Sequence, residues 1–196
     1  MITRYLILIS FFFITISPAI TQVPVDPAIQ AKFDAFINYS NKQQWDSAFS
    51  LVYPKLFSRV PKQDLVDMMQ RMQVGMTLKM NNTHIIASSS PVQDGTESFV
   101  KLSYESDIIV TIEKGGIYDS PKAIQAIGDQ FKSTYGGRSV VWHEDQKQYS
   151  IRATKNMMAV NPGNSDWKLV EINPEQPELM EFLFSAKILD ELVRVE

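Results

Sequence analysis

The chain of 196 residues has no cysteine and only two histidines, His84 and His143. Without cysteine there is no disulfide, no thiolate metal ligand, no thiol nucleophile and no cysteine to carry a lipid. Charge of neither sign accumulates. Nineteen Lys and Arg against 22 Asp and Glu leave a net charge of −3, which gives no general attraction to nucleic acid or to an anionic membrane. A glycine-rich phosphate loop, a Gly-x-Ser-x-Gly elbow and a His-Glu-x-x-His helix are all missing, so neither a cofactor nor a metal is expected. Internal repeats and low-complexity stretches are missing too. What remains, 44% hydrophobic and 11% aromatic residues, is the composition of a folded chain rather than a disordered one.

The one long apolar run opens the sequence. Arg4 precedes the apolar stretch from Tyr5 to Ile16, and Ser17-Pro18-Ala19 places small residues where a signal peptidase reads. This is the layout of a secretory signal peptide over residues 1–19. Spanning a bilayer takes about 20 apolar residues, and this run stops short of that at Pro18. An exported product is expected, periplasmic or extracellular and free of the membrane after cleavage. Residues 20–26 read as an extended leader, and residues 27–196 as one domain, since no linker divides them.

Helical periodicity dominates the first part of that domain. Ile29, Phe33, Phe36 and Ile37 share a face behind Pro27, with Asp26 as the cap. A second helix from Asn41 presents Trp45, Ala48, Phe49 and Val52 and is limited by Pro54. A third opens at Val60-Pro61, carries Leu65, Met68, Met69 and Met72 as its apolar stripe, and ends at Gly75. The period then becomes two. Met76, Leu78 and Met80 alternate with polar residues, and Val100, Leu102, Tyr104, Ile108, Val110 and Ile112 share one parity of a long strand. Phe99 and Ile109 are exceptions to that parity. Ser120-Pro121 starts a further helix, with Ala123, Ile124, Ile127 and Phe131 inward. Strands are expected at 139–144, 148–160 and 166–172, followed by a helical tail that Ser185 divides.

This order of elements, together with Trp45-Asp46 in Asn-Lys-Gln-Gln-Trp-Asp, the run Val52 to Phe57, Val60-Pro61-Lys62 and Asp166 to Val170, resembles uncharacterised exported NTF2-like (cystatin-like) proteins of Bacteroidetes-type bacteria. The resemblance implies an α+β fold: an NTF2-like cone, three N-terminal helices packed on a curved antiparallel sheet, with a C-terminal helical tail. It implies a pocket in the cone but no particular reaction, because such folds host enzymes, binding modules and dimerisation domains alike.

Within that pocket, Tyr104 on the apolar parity is the best-placed hydroxyl for acid–base work. His84 is its candidate partner if the strand from Met76 stays regular. The alternative for Tyr104 is a core tyrosine. A bulge near Ser106 would turn Asp107 inward. His143 is expected to face solvent. Tyr104, Leu102, Met80 and Trp45 are the expected ligand contacts; Trp45, Trp142 and Trp167 are candidates for stacking on a sugar or other ring, with packing the stronger reading for Trp45 and Trp167. The leading expectation is a non-catalytic module binding a small apolar ligand or a protein partner. An isomerase- or dehydratase-like enzyme and a homodimerising structural subunit are the alternatives.

Overall fold

Asp26 and Pro27 do what their chemistry favours at a helix start. The Asp26 carboxylate accepts from the Ala28 N–H at 2.7 Å, and Pro27 begins α1, Pro27–Asn41. The computed structural model describes residues 24–163 and 166–194, so the proposed signal peptide lies outside the described residues. The second helix starts later than its apolar pattern suggests. Gln43 takes a left-handed conformation with φ +59°, and α2 covers only Trp45–Ser50. A 3₁₀ turn at Pro54–Ser58 leads to α3, Lys62–Met72.

The stripe expected on α3 is corrected by the structure. Val66 is buried and Met69 packs beside it under Trp45, but Met68 and Met72 are exposed. Only a narrow side of this helix meets its neighbour α2, too narrow to cover all four positions.

The sheet contains β1 (Met76–Ser88), β2 (Val92–Asp94), β3 (Glu97–Ile112), β4 (Val140–His143), β5 (Gln148–Asn161) and β6 (Lys168–Glu171). All its ladders are antiparallel. The order is β1-β3-β5-β4, with β2 beside β3 and β6 beside β5. The helix α4, Pro121–Tyr135, lies between β3 and β4, and Ser120 caps it by accepting from the Ala123 N–H. The tail consists of α5, Pro177–Leu183, and α6, Ala186–Ile188, which runs on into a π-helical turn at Leu189–Val193.

The parity read for β3 holds along its whole length. Val100, Leu102, Tyr104, Ser106, Ile108, Val110 and Ile112 are all buried and form a row on the inner face. Two helices cover that row. Near one end, α1 brings Ile29 and Phe33 against Val100, Leu102, Tyr104 and Met157, with Phe33 and Tyr104 edge to face at 5.3 Å. Near the other, Ile124, Ile127 and Phe131 of α4 meet Val110, Tyr149 and Ile151.

Phe99, the apparent exception, belongs to a second core on the opposite face. There Met158, Val160 and Val170 are covered by Met180, Leu183, Phe184 and Ile188 of the tail. Residues 157–160 are consequently buried on both faces, and they read as an unbroken apolar run for that reason.

Two local contacts set the helices on the sheet. Gly128 of α4 sits directly over Tyr149. A Cβ there would come within 2.6 Å of the Tyr149 hydroxyl, which donates to the Ile124 carbonyl at 2.6 Å. Asp166, just before β6, takes Lys32 of α1 at 2.6 Å and Lys168 at 2.8 Å. The hydrogen bonds from these two ammonium groups hold its carboxyl down at about 2, against an ordinary 3.8.

Two outcomes are expected. Gly128→Ala should destabilise the fold by about 1–3 kcal/mol in urea denaturation, through overpacking against Tyr149. The Asp166 carboxylate is favoured in the folded chain, so its contribution is present above pH ~4 and is lost as the pH falls through about 2. An acid titration of wild type and Asp166→Asn by circular dichroism should show a stability gap at neutral pH that closes below pH ~3.

Candidate functional site

The two inner cores do not meet. Between the part of the sheet under α1 and the part under α4 lies a polar seam. It runs from Thr83 and Ser106, whose hydroxyls are 2.8 Å apart, through Tyr104 to Lys155. In register, Tyr104 stands opposite Lys155, and Glu171 stands opposite Met157 one step further along β5. Lys155 and Glu171 form an ion pair on this inner face. The Lys155 ammonium also lies 5.6 Å from the centre of the Tyr135 ring at the end of α4.

The seam opens at the sheet edge. On its outer edge β5 pairs with β4 through Ile151 and with β6 from Met157. The Asn156 carbonyl is taken by the Ile172 N–H. Residues 152–155 therefore face a gap between the two short strands. A depression of about 730 Å³ lies over this gap, bordered by Tyr135, Arg152, Lys155, Asn156, Glu171 and Glu175. That size is typical of small-molecule sites, about 300–1,000 Å³, and the border is mostly polar.

Tyr104 is buried, and its phenol pKa is driven well above the ordinary value, first by burial and then by the nearby Glu171 carboxylate and Tyr135. Such a phenol keeps its proton. It can donate a hydrogen bond, but it is a poor source of a phenolate base.

His84 lies on the opposite face of the sheet from it. The ladder between β1 and β3 shifts register between Asn81 and His84 and again between Ile85 and Ala87. The first shift sends Thr83 inward to Ser106 and His84 outward opposite Glu105. The imidazole is exposed and its Nδ1 sits 2.7 Å from the Asn82 carbonyl. The bulge considered near Ser106 thus lies on the neighbouring strand, and Asp107 stays on the outer face. There the Asn82 amide donates to Asp107 at 2.9 Å and Arg152 donates at 3.4 Å, which lowers its pKa.

The other residues expected to line a pocket are dispersed. Leu102 is fully buried under α1 beside Tyr104. Met80 belongs to the core under α4, although Asn41 of α1 bonds both its backbone N–H (2.7 Å) and its carbonyl (2.8 Å). Trp45 packs with Ala48 and Val66 in a separate helical cluster. Neither these three nor Tyr104 line any of the larger depressions among the described residues. The hollow expected at the centre of the cone is filled by side chains, and the accessible space lies at its edge. His143 is half-buried, with Nε2 3.0 Å from the Ser150 hydroxyl.

Lys155 and Glu171 were missed in the sequence, yet a signal for Lys155 exists. It interrupts the buried parity Ile151, Ala153, Met157, Ala159. A lysine on the core side of a strand needs a partner or an opening, and here it has both. Among the described residues no group of His, Asp or Glu is placed to hold a metal ion. No described helix is long and apolar enough to cross a membrane.

No family model matches the sequence, and no curated protein matches it significantly. Among solved structures, the chain is similar to a candidate dehydratase of the NTF2-like family from Streptomyces avermitilis. The likeness has 11% identity and a TM-score of 0.29, and covers 72% of this chain and 88% of that one. A likeness that distant transfers no residue's role.

Trp45 leaves its indole N–H buried without a hydrogen-bond partner. An unmet buried donor costs about 1–3 kcal/mol, so Trp45→Phe, which removes it, should cost far less than Trp45→Ala. Urea denaturation is expected to give a loss below about 1.5 kcal/mol for Phe and about 3–5 kcal/mol for Ala. Equal losses would show that the N–H is satisfied in solution.

Proposed function

We propose that the chain is an exported NTF2-like module that binds a small ligand without transforming it, in the depression at the uncovered stretch of β5. The α+β architecture and the antiparallel sheet with helices on its inner face support the family reading, and the opening of residues 1–19 supports export. The observation that carries the binding site is the Lys155–Glu171 ion pair, turned to the inner face beside the Tyr104 phenol. A fixed cation and a fixed anion side by side in one depression suit a small molecule with both donors and acceptors, and the buried Tyr104 phenol backs the pair from beneath. The ligand is accordingly polar rather than the apolar one expected from the parity of β3.

The enzyme alternative required Tyr104 and His84 in one cavity. The register shift in β1 puts them on opposite faces, and the raised phenol pKa works against Tyr104 as a base. A homodimer through the sheet would need an apolar outer face. The uncovered part of that face carries Lys79, Asn81, Glu105 and Asp107 around Ile109 and Val141, which Ser150 separates, so its apolar area is small.

Ligand-observed NMR of the full chain with the free amino acids and C3–C6 mono- and dicarboxylic acids is the test. At least one probe should bind, and Lys155→Met and Glu171→Gln should each weaken it about tenfold or more, while His84→Ala leaves it unchanged. Bound probes should be recovered chemically unchanged. Failure of every probe to bind, or binding indifferent to both substitutions, overturns the site. Conversion of a probe that Tyr104→Phe abolishes overturns the non-catalytic reading.

A further inference from the structure

A second depression, on the other side of α4, has no part in the site above. It is a groove of about 620 Å³ between the first turns of α4 and the edge strand β4, with Trp142 and Tyr149 on the strand side. Of the three tryptophans, Trp45 and Trp167 are buried, and only Trp142 is partly open. Its ring is held from two directions. The indole N–H donates to the Glu144 carboxylate at 2.6 Å, and the ring packs at 4.5 Å on Tyr149, which Phe131 meets edge to face at 5.4 Å. Tyr149 is anchored in turn to the Ile124 carbonyl. An aromatic surface lining a groove is therefore fixed in orientation before any ligand arrives.

The rim around it is charged but balanced. Lys147 sits between Glu144 at 3.2 Å and Asp119 at 3.4 Å, and Asp119 also accepts from the Gly115 N–H at 2.8 Å. With Lys132 on α4, the lining carries two carboxylates and two ammonium groups. An anionic ligand would meet the carboxylates, and a cationic one the ammonium groups. A flat apolar ligand would cover Trp142 but strip water from the charged rim without replacing its hydrogen bonds. A neutral polyhydroxylated ring avoids all three penalties. Its C–H face rests on the indole, and its hydroxyls donate to carboxylates and accept from ammonium groups.

We propose that this groove is a binding site for a neutral carbohydrate, stacked on Trp142 and hydrogen-bonded by Asp119, Glu144, Lys147 and Gln125. Space of this size admits a short oligosaccharide, since it falls in the middle of the range for small-molecule sites, about 300–1,000 Å³. The pKa directions agree with a rim that stays ionised. The Trp142 N–H holds the Glu144 carboxyl below its usual value, the Gly115 N–H does so for Asp119, and Glu144 raises Lys147.

The test titrates the full chain with neutral gluco-, manno-, galacto-, xylo- and chito-oligosaccharides, with oligogalacturonate as the acidic counterpart. Binding is read by tryptophan fluorescence and by saturation-transfer NMR. At least one neutral sugar should bind with a Kd below about 10 mM and shift the emission. Trp142→Ala should weaken it about tenfold or more, and Trp142→Phe should restore part of the loss. Gln125→Ala and Lys132→Ala lie at exposed positions of α4 and should each weaken binding about twofold to fivefold with the melting temperature unchanged. They carry the test if Trp142→Ala does not fold. The proposal is overturned if no neutral sugar binds in that range, if affinity survives these substitutions, or if oligogalacturonate binds better than every neutral sugar. Lys155→Met, which disables the first site, should leave sugar binding intact, so the two sites stand or fall separately.

Discussion

Burial of β5 on both faces between Met157 and Val160 is the constraint from which the rest of the arrangement follows. A strand apolar on both sides must be covered twice, and the chain supplies the covers from its two ends. The inner side takes Ile29 and Phe33 of α1. The outer side takes Met180, Leu183 and Ile188 of the tail. Phe99 and Val170 then have no choice of face, because their neighbours in the ladder are already committed. The C-terminal helices are in this sense part of the sheet's core and not an appendage to it.

The same constraint explains where polar groups are tolerated. Toward the middle of β5 the double cover ends, because α1 and the tail lie over one end of the sheet and α4 over the other. Ser106, Thr83, Tyr104 and Lys155 occupy the strip between. Thr83 and Ser106 share a hydrogen bond and Lys155 has the Glu171 carboxylate and an opening, so these three cost little of the stability gained on either side. Polar side chains collect where the apolar cores part.

How far this was legible in the sequence depended on whether the signal was local. The α1 cap at Asp26, the Ser120 cap of α4 and the parity of Val100 to Ile112 are written in neighbouring residues and were readable. Phe99 showed as a departure from alternation, but nothing local says that a tail far along the chain will cover it. The position of His84 turned on a bulge in β1, a backbone event that regular alternation cannot forecast. Trp45 and Met80 carry pocket-like residue types yet pack in cores away from Tyr104, since residue type alone does not say which cluster a side chain joins. Lys155 was detectable as a charge on an apolar parity, whereas its partner Glu171 needed the pairing of β5 with β6. The edge groove beside Trp142 needed the approach of α4 to the sheet, where Gly128 leaves room for the Tyr149 ring.

The interval on β5 between its two short neighbours leaves main-chain amides of a long strand facing water. Unpaired strand edges invite other chains to add on, and that is how many soluble proteins begin to aggregate. Here the interval is short, it is closed at each end by a strand already in place, and Arg152 and Lys155 stand within it. An invading strand would have to match a slot a few residues long while burying positive charge. A break in the ladder of this kind leaves main-chain groups open to water while giving fibril growth no foothold.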